Sequence, residues 1–300
     1  MTITWKGVYA AATTQFAADE SLDLDATARH LDIMIQAGIS GLILLGSVGE
    51  NTALEYQEKL TLLRAMLEAV SGRVPVLAGV AENTTTLACR FAQDAERIGL
   101  DGLMVLPAMI YKSDTCEALA HFQAVARSTG LPIMIYNNPV SYYVDIKPEM
   151  FADFATVPNI VAIKESSNDV RRITDLISLY DDRFVLFSGV DDLVLESVLL
   201  GVTGWVSGLV NAFPYENQAL WQLATEGRWE EARTLYRWYT PLLHLDTKIK
   251  LVQYIKLAMA EVGLGSERVR APRLMLAGEE RAQILGIIRH ALATRPKLPA

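Results

Sequence analysis

The sequence predicts an α/β protein, a (β/α)8 TIM barrel with a C-terminal helical extension. Short apolar runs alternate with amphipathic segments eight times within about the first 226 residues, which favours a parallel barrel over an open sheet. The runs are nearly continuous in apolar residues, as expected for strands that are covered on both faces. We therefore expect a barrel domain over 1–226 and a helical region over 227–300 that packs on it.

Each predicted strand is a short apolar run bounded by glycine, proline or polar residues. The strands cover residues 7–12, 41–45, 74–80, 102–106, 132–137, 160–164, 184–188 and 204–207. Between and after them the apolar positions follow the helical period, over 25–37, 55–70, 85–98, 115–128, 148–155, 170–180, 193–200 and 214–226. Three more helical patterns cover 229–244, 249–262 and 279–293, and no Gly/Ser-rich linker precedes them.

Composition argues against several classes of protein. The net charge of -8 and a pI near 5.1 disfavour nucleic-acid binding. No apolar run approaches about 18 residues, so we expect no membrane span, and the N-terminus lacks a signal-peptide pattern. Cys89 and Cys116 are isolated in helical patterns, so a disulfide framework is not expected. We expect a cytoplasmic protein.

Lys164 is the most informative residue of the chain. It ends the predicted sixth strand, after the apolar run Ile160-Val161-Ala162-Ile163. Burial disfavours the charged form of lysine and lowers its pKa, and a neutral lysine forms Schiff bases with carbonyl compounds. The alternative is a strand-terminal lysine whose ammonium reaches solvent. Active sites of (β/α)8 barrels lie at this end of the strands, which favours the catalytic interpretation.

Two further candidate groups end neighbouring strands. Tyr136 ends the fifth strand, where its hydroxyl is placed to reach the carbon next to a Lys164 imine; the alternative is a core aromatic residue. Residues 46–50, with the sequence Gly-Ser-Val-Gly-Glu, follow the second strand. The glycines allow a tight turn whose N–H groups can hold a carboxylate. Glu50 is interpreted as an acid near the N-terminus of the next helix.

The sequence does not predict a metal or nucleotide site. The four histidines are far apart and show no ligand spacing: His30, His121, His244 and His290. His244 and Asp246 are expected to form a hydrogen-bonded pair in a loop. No glycine-rich nucleotide motif is present. Trp221, Trp229 and Trp238 are expected in helix packing or subunit contacts.

These motifs resemble those of the family of dihydrodipicolinate synthase and N-acetylneuraminate lyase, the class I pyruvate-dependent aldolases. The matching segments are Gly46-Ser47-Val48-Gly49-Glu50, Tyr136-Asn137-Asn138-Pro139, Ile163-Lys164-Glu165-Ser166 and Ser188-Gly189-Val190-Asp191. The resemblance implies a homotetramer built from dimers. It also implies a small 2-oxo acid or cyclic imino acid bound covalently to Lys164 without a cofactor, and Tyr136 as the proton shuttle. Gly46, Ser47 and Val48 are expected to bind substrate, with Gly189 and Val206 lining the pocket.

Three departures from the family pattern bear on the substrate. Val48 stands where synthases have a second hydroxyl residue. The segment Val140-Ser141-Tyr142-Tyr143 lacks the arginine that holds the carboxylate of aspartate semialdehyde in synthases. Tyr111 is the candidate for the second relay tyrosine after strand four, although it lies one residue out of the simplest register.

The motifs and the tail segments 243–246 and 251–257 are similar to the branch that deaminates 1-pyrroline-4-hydroxy-2-carboxylate in hydroxyproline breakdown. This similarity implies release of 2-oxoglutarate semialdehyde and ammonia. Alternatives are an aldolase or dehydratase acting on a 2-keto-3-deoxy sugar acid, and a synthase-like condensation that uses pyruvate. A barrel that only binds a 2-oxo acid as a regulator is disfavoured, because Lys164 and Tyr136 are both present.

Overall fold

The structure is a computed structural model that describes residues 4–298. Within this range eight parallel strands close into a barrel in chain order. The strands are β1 (Gly7–Ala11), β2 (Gly41–Leu44), β3 (Val76–Val80), β4 (Gly102–Val105), β5 (Ile133–Asn137), β6 (Ile160–Glu165), β7 (Val185–Ser188) and β8 (Gly204–Ser207). The predicted (β/α)8 barrel is confirmed. The first three residues, which begin the segment where we predicted no signal peptide, lie outside the described range.

The helices of the described range surround the barrel and continue beyond it. They are α1 (Leu24–Gln36), α2 (Tyr56–Val70), α3 (Thr85–Ile98), α4 (Thr115–Arg127), α5 (Pro139–Tyr142), α6 (Ala152–Ala155), α7 (Arg171–Tyr180), α8 (Val194–Leu199), α9 (Pro214–Thr225), α10 (Trp229–Leu243), α11 (Leu251–Glu261) and α12 (Gly278–Ala293). None of them is long and apolar enough to cross a membrane.

Helix α5 was not predicted from the sequence, and the helix predicted over 148–155 is shorter in the structure. The Asn138 side chain caps α5 by accepting a hydrogen bond from the Ser141 N–H at 2.9 Å, and Pro139 occupies the first helical position. Both are helix-start signals. Residues 148–151 instead form a tighter 3-10 turn before the short helix α6. Helix α5 matters because it ends at Tyr142, beside the site described below.

The C-terminal helices pack on one another and on the end of the barrel. Helix α10 contacts α9 and α12, and α11 contacts α12 and the turn that follows β8. Trp238 stacks on Tyr239 and donates a hydrogen bond to the Ala291 carbonyl at 3.1 Å, consistent with the helix-packing role expected of it. The domain boundary at 226/227 falls in the turn between α9 and α10 and stays a prediction.

A buried ion pair joins the C-terminal region to the glycine-rich turn after β2. Lys256 on α11 donates to a Glu50 oxygen at 2.5 Å and to the Arg268 carbonyl at 2.7 Å. The other Glu50 oxygen accepts from the Arg270 N–H at 3.0 Å. Both charged side chains are completely buried. Glu50 precedes a short 3-10 helix, Asn51–Ala53, as expected of an acid near a helix N-terminus. Its side chain makes no capping hydrogen bond, however, because the carboxylate pairs with a lysine 206 residues away in sequence.

Removing the cation of this pair should destabilise the fold. We expect Lys256→Met to lower the free energy of unfolding by about 3–5 kcal/mol, because the buried Glu50 carboxylate loses its hydrogen-bonded cation and keeps only Arg273, whose Nη1 lies 3.8 Å away. The double variant Lys256→Met/Glu50→Gln removes both charges and should recover much of the loss. Urea unfolding followed by circular dichroism measures both effects. Lys250→Met is the matched control, because its exposed pair with Glu280 contributes little. Equal stability of Lys256→Met and wild type would contradict the prediction.

Candidate active site

A cavity of about 410 Å³ opens at the C-terminal ends of the barrel strands. Strand-end residues from around the barrel line it: Ala11, Gly46, Met104, Tyr136, Lys164, Gly189 and Gly208. Ser47 and Val48 also line it, so six of the predicted site residues meet in one place. These residues are far apart in sequence, and closure of the eight-stranded barrel brings them together.

Lys164 and Tyr136 face each other across neighbouring strands. They are paired in the register of β5 and β6, and the Lys164 Nζ lies 4.0 Å from the centroid of the Tyr136 ring. Each residue is 6% exposed. Burial lowers the pKa of Lys164 to about 8, although the carboxylates of Asp246 and Asp191 oppose this shift. A useful fraction of the amine is therefore neutral near physiological pH, as a nucleophilic lysine requires.

Lys164 reacts as the neutral amine, whereas Tyr136 acts as a base only as the charged phenolate. Burial raises the pKa of its phenol to about 12, so the hydroxyl is protonated at rest. The Asn138 side-chain amide donates a hydrogen bond to the phenol oxygen at 2.9 Å, which favours the phenolate. Tyr136 must accordingly give up its proton before it can act as a base.

The second tyrosine of the site is Tyr142, which the sequence analysis did not select. Its hydroxyl is hydrogen-bonded to the Ser47 hydroxyl, and its ring meets the Tyr136 ring edge-to-face at 5.7 Å. Burial raises the pKa of Tyr142. The Asn-Pro pair at 138–139 was the sequence signal that could have identified Tyr142. It predicts a helix start, and the fourth residue of that helix, Tyr142, lies over the cavity.

Tyr111, the predicted relay tyrosine, does not reach this cavity within its own chain. It is 59% exposed, and its hydroxyl donates to the Glu117 carboxylate at 3.0 Å. The backbone explains the displacement, since Ile110 adopts a left-handed conformation with φ of 72° and turns the following residue outward. The prediction that Tyr111 lies in the site is therefore wrong for the cavity of a single chain.

The turn after β2 is held tightly against the barrel rim. Leu45 has a left-handed φ of 58°, and the Asn51 amide donates to the carbonyls of Leu45 and Gly79 at 2.8 and 3.1 Å. A side chain at Gly79 would place its Cβ 2.3 Å from the Leu45 carbonyl oxygen. The turn closes through the N–H groups of Glu50 and Asn51. Those closing bonds do not use the N–H groups of Ser47 and Val48, which border the cavity.

Gly189 lines the cavity, whereas Val206 does not. A Cβ at Gly189 would lie 2.0 Å from the Ser166 hydroxyl and 2.7 Å from Lys164 Cε, so only glycine leaves room for the lysine. Val206 is buried within β8, where it pairs with Tyr9. Gly208, two residues further along the chain, takes the lining position. The expectation for Val206 was wrong because the cavity lies beyond the end of the strand.

Two carboxyl groups stand near Lys164, in different environments. Asp191 is fully buried and accepts hydrogen bonds at 2.9 Å from the Trp205 indole, the Ser207 hydroxyl and the Leu209 N–H. Asp246 lines the cavity, and its Oδ1 is buried without a hydrogen-bond partner. The expected His244–Asp246 pair does not form, because the His244 ring bonds to Asp192 at 2.6 Å.

Within residues 4–298 no group of three or more histidine, cysteine, aspartate or glutamate side chains is arranged to hold a metal ion. His30 instead bonds to Asn211 at 3.0 Å, and burial lowers its pKa to about 4. His121 bonds to Thr85 at 3.0 Å. Both cysteines are free thiols.

A buried lysine beside a phenol and a glycine-containing turn, at the C-terminal face of a (β/α)8 barrel, is the arrangement expected of a Schiff-base lyase of the class I aldolase type. Comparison with known proteins identifies the family. Residues 4–291 match the model of the dihydrodipicolinate synthetase family, and the chain belongs to that family. Its enzymes bind their substrate as a lysine Schiff base and use no cofactor, as predicted.

Similar proteins carry the name 4-hydroxy-tetrahydrodipicolinate synthase. One from Xanthomonas campestris pv. campestris is 34% identical over 302 residues, covering 98% of this chain and 99% of its own. One from Methanosphaerula palustris is 31% identical over 291 residues, covering 95% and 98%. The solved structure of the enzyme from Methylacidiphilum fumariolicum SolV superposes with a TM-score of 0.90 at 32% identity, covering 97% and 98%.

Proposed function

We propose that this protein is a Schiff-base deaminase that converts 1-pyrroline-4-hydroxy-2-carboxylate to 2-oxoglutarate semialdehyde and ammonia, in the breakdown of hydroxyproline. The observation that carries the proposal is the uncharged wall formed by Val140, Ser141 and Tyr142. A second substrate with its own carboxylate needs a cation at this wall, and a substrate with a single carboxylate does not.

The single carboxylate would bind at the turn after β2. Ser47 and Val48 line the cavity, and their N–H groups are not used to close the turn, so these groups are free to hold an anion that binds there. With the carboxylate there, C2 of the substrate faces Lys164. The amine adds to C2, and the ring nitrogen departs as a primary amine, so the substrate becomes an open-chain imine of Lys164.

Proton transfer explains why a phenol with a raised pKa suits this reaction. The departing ring nitrogen needs two protons; one comes from the attacking lysine and the other from the Tyr136 hydroxyl. The resulting phenolate, stabilised by the Asn138 amide, then removes a proton from C3 and forms the enamine. The enamine expels the C4 hydroxyl, which leaves as water. Loss of a proton from C5 and protonation of C3, followed by tautomerisation, then convert the C5 amine to an imine. One water hydrolyses this imine and releases ammonia, and a second water hydrolyses the Lys164 imine and releases the semialdehyde.

Ammonia release tests this function directly. Purified enzyme incubated with 1-pyrroline-4-hydroxy-2-carboxylate should release one ammonia for each 2-oxoglutarate semialdehyde formed, measured with two coupled dehydrogenase assays. Pyruvate with aspartate semialdehyde serves as the comparison and should give no condensation product. Condensation without ammonia release would contradict the proposal.

The lowered pKa of Lys164 predicts a pH dependence for adduct formation. Only the neutral amine attacks, so the rate should rise about tenfold per pH unit below 8 and level off above it. Rapid-quench trapping of the pyruvate adduct with borohydride measures this rate. A solvent-exposed lysine would instead give a rate that keeps rising to about pH 10.4, and that profile would contradict the assignment of a buried nucleophile.

Synthase chemistry is the second candidate, because the relatives reported above carry that name. Lys248 at the cavity rim offers a cation for a second carboxylate. A dehydratase or aldolase acting on a 2-keto-3-deoxy sugar acid would use the same lysine and tyrosine, and pyruvate release would distinguish an aldolase from the deaminase.

We further propose a homotetramer built as a dimer of dimers. Members of the family are generally oligomeric. This chain exposes the side chains of Val140 and Tyr143 at the cavity and that of Ile110 in the loop after β4. Ile110 is 90% exposed, and Lys112 lies over the exposed Tyr143 ring at 4.1 Å from its centroid. Analytical ultracentrifugation of wild type and Ile110→Asp tests the assembly, and we expect the variant to form a smaller species.

A further inference from the structure

Asp246 lines the cavity but takes no part in the proton transfers assigned to Lys164 and Tyr136. It lies outside the barrel, in the turn between α10 and α11, and it projects over the end of β8. Its Oδ1 packs so closely on Gly208 that a Cβ there would lie 2.3 Å away. Gly208 therefore leaves room for this carboxyl group, which comes from a turn outside the strands of the barrel.

The carboxyl group lacks the internal partners that a structural role would give it. Its Oδ1 is sealed from solvent and accepts no hydrogen bond from any residue between 4 and 298. Asp191, which is completely buried near Lys164, receives three hydrogen bonds at 2.9 Å and does not line the cavity. A buried unpaired carboxyl oxygen is costly, so a partner from the substrate is the natural way to satisfy it.

Asp246 and Tyr136, the phenol that protonates the ring nitrogen, lie at different positions around the barrel. Tyr136 stands on β5, Lys164 on β6, and Asp246 over β8, so the lysine lies between the two groups in strand order. Tyr136 is protonated again once it has taken the C3 proton. A second leaving group, the C4 hydroxyl, then needs a proton donor of its own on the other side.

We propose that Asp246 is the general acid that protonates the departing C4 hydroxyl of the substrate imine; this inference rests on the proposed function. The nitrogen lone pair of the enamine forms the C2=N bond, the C2=C3 pair moves to C3=C4, and the C4–O bond breaks. The Asp246 proton passes to that oxygen, which leaves as water, and Asp246 becomes a carboxylate.

Electrostatics supports the protonated form that this role requires. Burial raises the pKa of Asp246 well above its ordinary value, and the neighbouring carboxylates of Asp191 and Asp192 act in the same direction. A cationic Lys164 opposes the shift, and Lys248 lies on the same cavity wall. Once Lys164 is part of the neutral enamine, this opposing charge is gone at the moment the proton is needed.

The test compares two reactions of Asp246→Asn. Amide and carboxyl have the same shape, but the amide cannot give up a proton, so kcat for ammonia release should fall at least about 100-fold with KM changed little. Borohydride trapping of pyruvate, which has no C4 hydroxyl, should proceed to the wild-type extent. With the pyrroline substrate, the trapped adduct of the variant should retain the hydroxyl and be heavier by one water than the adduct formed after elimination.

Asp182→Asn is the matched control, because it removes an exposed carboxylate that does not line the cavity, and its kcat should stay near that of wild type. Should Asp246→Asn fold poorly, Asp246→Ser gives the same comparison. An unchanged kcat in a folded Asp246 variant would overturn the inference, and so would a loss of pyruvate trapping equal to the loss of kcat.

Failure of the proposed function is a separate outcome. If wild type releases no ammonia from the pyrroline, dehydration of a 2-keto-3-deoxy sugar acid, which also carries a C4 hydroxyl, becomes the assay for Asp246. The same 100-fold loss is then expected. If wild type eliminates water from neither substrate, the role of Asp246 is rejected together with the proposed function.

Discussion

Lys164→Ala should lower ammonia release from 1-pyrroline-4-hydroxy-2-carboxylate by at least about 10⁴-fold, because every step after binding takes place on the lysine imine. Its buried Nζ lies beside the Tyr136 ring, whereas Lys248, which also lines the cavity, is exposed. The coupled ammonia assay measures the loss, and borohydride with substrate should leave the mass of the variant unchanged.

Lys147→Ala is the matched control for this variant. Lys147 is exposed and does not line the cavity, so we expect wild-type turnover and wild-type trapping. Thermal unfolding of both variants separates loss of the nucleophile from loss of the fold. Turnover by Lys164→Ala within tenfold of wild type would show that another group carries the substrate.

Tyr136→Phe should lower kcat by about 10²–10⁴-fold, because it removes both the acid that releases the ring nitrogen and the base that takes the C3 proton. The ring contacts with Lys164 and Tyr142 remain, so the fold and the cavity should persist. Deuterium exchange at C3 of pyruvate isolates the base step and should fall in parallel.

Tyr142→Phe is the matched control for Tyr136→Phe, because it removes the other tyrosine hydroxyl of the site. It removes the hydrogen bond to Ser47 but leaves Tyr136 in place, so we expect a smaller loss than in Tyr136→Phe. Equal exchange rates in Tyr136→Phe and wild type would assign the base role elsewhere. A larger loss in Tyr142→Phe than in Tyr136→Phe would exchange the roles of the two tyrosines.

The barrel and the central pair of the site were predictable because both follow from short-range patterns. Strand-length apolar runs alternate with helical periods, and Lys164 and Tyr136 end two neighbouring runs. Side-chain alternation along a strand and the common face of the strand ends then bring the two residues together. The observed register pairs them directly.

Three of the errors concern residues whose positions depend on the connecting segments. Tyr111 follows a left-handed residue that turns it toward Glu117, and the sequence gives little warning of such a turn. Asp246 reaches the cavity from beyond the barrel, and Glu50 pairs with Lys256 across the fold. Contacts between distant segments cannot be read from local periodicity. Only the Asn138-Pro139 helix start, which positions Tyr142, carried a local signal that was missed.

Trapping the substrate on the enzyme tests the central claim most directly. Wild-type protein would be mixed with 1-pyrroline-4-hydroxy-2-carboxylate and borohydride, digested, and mapped by mass spectrometry. The account predicts a single reduced substrate adduct, located on Lys164. An adduct on another residue, or catalytic turnover without any trapped adduct, would contradict it.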